Sequence, residues 1–110
     1  MSYSVIPLRP FEKQLKRLAG KYPSLKRELA ALVVALSQDP EVGTALGGGS
    51  FKIRLAIASK GKGKSGGGRV VTHVKVVSSR VYLLAIYDKS EKDTLSDKEL
   101  DSLLRLIPEQ

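Results

Sequence analysis

The chain has 110 residues and a formal net charge of +8, with 19 Lys or Arg against 11 Asp or Glu. That length supports one domain, 1–110, with one modest core, and the absence of cysteine excludes a disulfide framework, thiolate metal sites and a cysteine nucleophile. A pI near 9.9 leaves nucleic acid, an anionic membrane surface or an acidic protein as candidate partners.

Tyr3 to Leu8 is rich in strand formers, and Pro7 confines it to a sheet edge or a strand end. Pro10 permits a helix to start, with Phe11, Leu15, Leu18 and Tyr22 at helical spacing and Gly20 near its stop. Pro23 opens a second helix whose stripe is Leu25, Leu29, Leu32, Val33 and Leu36, ending around Gln38 or Asp39 because Pro40 disfavours helical geometry before it. The two helices are expected to form an antiparallel hairpin covering one side of a sheet, and Glu41 to Ser50 to form a loop.

From Phe51 the period becomes two. Phe51, Ile53, Leu55 and Ile57 point one way, and Lys52, Arg54, Ala56 and Ala58 the other. After a loop over Ser59 to Gly68, a strand from Arg69 to Val77 separates Val70, Thr72, Val74 and Val76 from Arg69, Val71, His73, Lys75 and Val77. Ser78 to Arg80 is a tight connection, so Val81 to Tyr87 returns antiparallel. Ser96 with Glu99 then forms a capping box, Leu95 and Leu100 a hydrophobic staple, and Leu100, Leu103, Leu104 and Ile107 a buried stripe that Pro108 stops. The fold class is α+β in the order β-α-α-β-β-β-α: two N-terminal helices on one face of a small, mostly antiparallel four-stranded sheet, with cations on the other.

Phe51 to Tyr87 holds eight basic residues and no acidic one; elsewhere 11 basic and 11 acidic residues cancel, so the whole net charge lies in this stretch. In the loop Ser59 to Gly68, glycines allow close backbone approach to phosphate, and Lys60, Lys62 and Lys64 supply long-reach charge. The bland alternative is a solvated hairpin connection. Gly63-Lys64-Ser65 looks like the end of a P-loop, but Ala58 stands where its first glycine belongs and no helix follows. Lys52, Arg54, Arg69 and Lys75 fall on one predicted sheet face, which favours a polyanion site. His73 shares that face; one imidazole builds no metal site, and a lone strand histidine is ordinarily a surface or packing residue.

The lack of carboxylates in this stretch argues against a two-metal nuclease, so neither metal nor cofactor is expected. Metal-free RNA cleavage needs a base for the 2′-OH, cations for the phosphorane and an acid for the leaving 5′ oxygen. Lys52, Arg54, Arg69, Tyr87 and Lys89 supply these types, and Lys60, Lys62, Lys64, His73 and Lys75 would bind phosphate. No apolar run approaches the ~20 residues that span a bilayer, and Met1 to Pro10 does not resemble a signal peptide. A cytoplasmic protein with no membrane partner is expected.

The element order, with Phe51-Lys52-Ile53-Arg54-Leu55, Gly68-Arg69-Val70-Val71 and Leu83 to Glu91, resembles the RelE/ParE superfamily of bacterial toxins. Lys62 to Val70 followed by Ile86-Tyr87-Asp88-Lys89 is most similar to its HigB-like branch. The resemblance implies a type II toxin that cuts messenger RNA on the ribosome and is neutralised by a cognate antitoxin. It carries proton transfer and phosphate contact onto Lys52 and Arg54, phosphate binding onto Arg69, and a further basic role onto Lys89. Tyr87 fits the HigB-like pattern, while Leu95 stands where RelE itself has a tyrosine; ordinary strand-end packing is the other reading of Tyr87. A non-cleaving RNA-binding module and a ParE-type gyrase inhibitor are the alternatives.

Overall fold

The computed structural model describes residues 2–63 and 65–108, so Lys64, expected among the phosphate-binding lysines, lies outside the described residues. β1 (Ser4–Pro7) runs along an edge of the sheet, where the missing N–H of Pro7 removes no ladder bond from the interior. α1 (Arg9–Lys21) carries Pro10 in its first turn and buries Phe11 and Leu18 completely. α2 (Leu25–Gln38) buries Leu25, Leu29 and Leu36, with Leu32 and Val33 at the margin, as the stripe predicts.

The expected loop Glu41 to Ser50 contains another strand. β2 (Thr44–Gly47) turns through Gly47, Gly48 and Gly49, whose φ values of 96°, 62° and 92° suit residues without a Cβ, into β3 (Ser50–Leu55). Every residue of β2 is exposed, so it buries no face and writes no alternation into the sequence; backbone pairing holds it. β4 (Gly68–Lys75) and β5 (Arg80–Asp88) complete a sheet of five strands, not four, in the order β1-β5-β4-β3-β2. β1 pairs parallel with β5 and the other neighbours are antiparallel. β4 stops at Lys75, two residues short of the expected end, and Val76 and Val77 stand exposed in the turn.

The two faces have different covers. One packs Ile53, Leu55, Val70, Val74, Val81 and Ile86 against α1 and α2. The other gathers Leu8, Val71, Tyr82, Leu84 and Tyr87 beneath the apolar side of α3 (Asp97–Leu104) and its flanks. Helix therefore covers part of the face expected to be open to RNA. A bulge in β5 sets this arrangement: Val71 faces Ala85 and Thr72 faces Leu83, leaving Leu84 without an opposite number. The extra residue resets the alternation and places Tyr82 and Tyr87, an odd number of positions apart, on the same side. α3 has the expected capping box, with Glu99 N–H donating to Ser96 Oγ at 3.1 Å and Ser96 N–H to Glu99 Oε1 at 3.0 Å.

Candidate active site

Strand register brings the sequence-predicted cations together in rows. Arg54 of β3, Arg69 of β4 and Tyr87 of β5 are direct cross-strand partners, about 5 Å apart from strand to strand. The adjacent row on this face starts with Lys52, opposite Val71 and then Ala85. Lys89 follows Tyr87 by two residues, with its backbone N–H donating to the Gly67 carbonyl at 3.0 Å. Lys52, Arg54, Arg69, Tyr87 and Lys89 thus form one cluster at the end of the sheet where the glycine–lysine loop enters β4.

The proposed phosphate binders do not all join it. His73 is four residues and Lys75 six residues along β4 from Arg69, roughly 13 and 20 Å at strand rise. Only a ligand several nucleotides long would touch both ends. Lys62 is exposed in the loop. Lys60 is not available: its ammonium pairs with the carboxylate of Asp88, both side chains being buried. Asp88 also accepts from Tyr22 Oη at 2.5 Å and from Ser90 N–H and Oγ at 2.9 and 2.8 Å. Burial pushes the Asp88 carboxyl up, but hydrogen bonds from Lys60, Tyr22 and Ser90 outweigh it and hold the group well below the usual carboxylate range. Lys60 therefore ties the loop to β5 and to the end of α1.

Arg69 also departs from expectation, being 5% exposed instead of displayed on the surface. Its guanidinium donates to the Gly68 carbonyl at 3.0 Å and to the Ser65 carbonyl at 3.2 Å, which folds the loop end over it. Arg54 in the same row is exposed and Lys52 half-buried. The Tyr87 hydroxyl is buried and makes no hydrogen bond of ordinary geometry among the described residues. Burial raises its pKa against the opposing influence of Arg69 and Thr94, so the phenol stays protonated at neutral pH. A cleft of about 230 Å³ opens beside Tyr87, between Gln14 and Arg17 of α1 and Leu95 and Glu99. His73 lies within 3.0 Å of Ser50 Oγ, and burial, then Lys75, lower its pKa and favour the neutral ring.

Carboxylates were expected to be absent from this face, yet the segment after β5 brings one. Asp93 pairs with Lys89, and Lys52 Nζ approaches Thr94 Oγ1 at 3.4 Å. The hydrogen bond from Lys89, then its charge, lower the Asp93 pKa, with Lys52 and Arg69 contributing in the same direction. Nothing in the periodicity of residues 90–96 signals this, because the contact depends on where the chain turns after the strand. Among the described residues, no three His, Asp or Glu side chains gather closely enough to hold a metal ion, and no helix is long and apolar enough to cross a membrane.

A model of the family described as the RelE toxin of the RelE/RelB toxin–antitoxin system matches residues 11–108. Among solved structures, the E. coli toxin RelE in the free state, with two arginines replaced by alanine, superposes with a TM-score of 0.65 at 14% identity, over 98% of this chain and 100% of that one. The isolated E. coli RelE toxin gives a TM-score of 0.63 at 16% identity, over 96% and 100% of the two chains.

Proposed function

The chain belongs to the RelE toxin family of toxin–antitoxin systems, and from that premise we propose that it halts translation in the cytoplasm by cutting messenger RNA on the ribosome. The observation that carries the reading is the cross-strand row Arg54–Arg69–Tyr87, flanked by Lys52 and Lys89. A phosphodiester laid on this row meets two lysines and an exposed arginine, which stabilise charge on a phosphorane formed by attack of the neighbouring 2′-OH. The protonated Tyr87 is suited to donate to the leaving 5′ oxygen once the α3 flank moves off its buried hydroxyl, and Lys52, when its amine is neutral, to take the 2′-OH proton. Arg69 acts from beneath by fixing the loop end and contributing positive potential.

The cognate antitoxin is proposed to be acidic or amphipathic, covering this face or displacing α3. The helix suits that role because none of its residues is fully buried. Burial of Arg69 favours a second reading, a module that grips RNA without cutting, since one predicted phosphate ligand is sequestered. Incubating purified ribosomes and message with the protein and mapping 5′ ends separates the two. Discrete new ends, absent with a Lys52→Ala/Arg54→Ala variant, support cleavage; intact transcripts with slowed elongation support binding alone.

A further inference from the structure

We propose that Asp93 is an internal competitor for the phosphate site: in the free chain its carboxylate occupies the place on Lys89 that an RNA phosphate takes. The inference rests on reading the basic row as an RNA site. The connector from β5 to α3 closes on its own first residue and on β3 with two consecutive residues: Asp93 pairs with Lys89, four residues before it, and Thr94 meets Lys52 of β3. Lys89 Nζ also lies 3.4 Å from the Asp93 backbone carbonyl, so the ammonium is held from both sides of one residue.

Exposure decides what kind of contact this is. The Asp93 side chain is 86% exposed and that of Lys89 30%, so water or another anion can replace the carboxylate at little cost. The neighbouring Lys60–Asp88 pair is 8% and 0% exposed, and breaking it would strand a charge in the interior. Two ion pairs at the same end of the sheet thus have different duties, one fixed and one exchangeable. The cations facing Asp93 are Lys89, Lys52 and Arg69, and all three favour its ionised form. A competing anion, not a fall in pH within the physiological range, is what releases it.

The test is binding of an uncleavable 2′-O-methyl RNA oligonucleotide, followed by fluorescence anisotropy over a salt series. The proteins compared are the wild type, Asp93→Asn, and Asp101→Asn, which removes the same charge from the exposed surface of α3. Asp93→Asn should bind about fivefold more tightly at low salt, with an advantage that shrinks as salt rises, while Asp101→Asn stays near the wild type. Equal affinities for the two variants would overturn the proposal. Ribosomal cleavage measured in parallel keeps the questions apart. Tighter binding by Asp93→Asn with no cutting by any protein retains the competitor and removes the nuclease; cutting with unchanged Asp93→Asn affinity removes the competitor alone.

Discussion

Tyr87 is an unusual residue to find in a packed position, because its hydroxyl is buried with no hydrogen bond of ordinary geometry among the described residues, Thr94 being the polar side chain near it. Such a group costs stability whatever its role, so removing it should be harmless to the fold and informative about chemistry. Tyr87→Phe is expected to leave the melting temperature unchanged or slightly raised, while single-turnover cleavage falls by about 10²-fold or more if the phenol is the proton donor. Cleavage at the wild-type rate would return Tyr87 to a packing role. The two arginines of the row should separate in the opposite way. Arg54 is exposed, so Arg54→Ala should melt like the wild type and bind RNA more weakly. Arg69 holds two carbonyls from a buried position, and Arg69→Ala should lose about 2 kcal/mol or more in urea unfolding. That both arginines face the same side was legible from the period of two. The burial of Arg69 was not, because it depends on the Ser65 carbonyl arriving from a loop with no periodic signal.

Elements that bury a face were readable, and elements held by backbone alone were not. The stripe of α2 and the capping box of α3 stand where their side-chain patterns put them, whereas β2 has no buried residue and emerged only in the fold. The β5 bulge is similarly silent in a run of apolar residues, yet it brings Tyr87 to the cationic face. The loop that joins β3 to β4 is positioned by the Asp88 carboxylate, to which Lys60, Tyr22 and Ser90 all donate. Because the folded state holds the Asp88 carboxyl below its unfolded value, its contribution to stability is fully present above about pH 4 and drains as the medium becomes more acid. Asp88→Asn leaves Lys60 charged and buried without its partner, a loss of about 3–5 kcal/mol at neutral pH. Urea unfolding across an acid series should therefore show a less stable variant with a flatter dependence below pH 4. Parallel curves for the two proteins would mean that the carboxylate is not the anchor of the loop.

Across the whole molecule, the +8 net charge is a property of sequence, but its usable part is a property of the fold. Of the seven described basic residues between Phe51 and Tyr87, the structure withdraws Lys60 into an ion pair, covers Arg69 with a loop end, and carries Lys75 and Arg80 to the far end of the sheet. Lys52, Arg54 and Lys62 remain accessible near the candidate site, and Lys89 joins them from beyond the stretch. The sequence alone pointed to a polyanion surface and to its strands; it overstated how many cations one strand of RNA could meet, since parity assigns a face but not a depth or a position along the strand. Counterion release turns this into a measurable difference. For a single-stranded ligand, each neutralised phosphate contributes about −0.7 to the slope of log K against log salt concentration. Contacts through Lys52, Arg54, Lys62 and Lys89 predict a slope near −3 for a short uncleavable RNA, whereas engagement of all eight lysine and arginine candidates would drive it to about −5.6. Replacing Lys75 should leave the slope for a short oligonucleotide unchanged, and replacing Arg54 should reduce its magnitude by about 0.7. An equal reduction from both substitutions would mean that RNA runs along the length of β4, and would move the binding surface away from the row that ends in Tyr87.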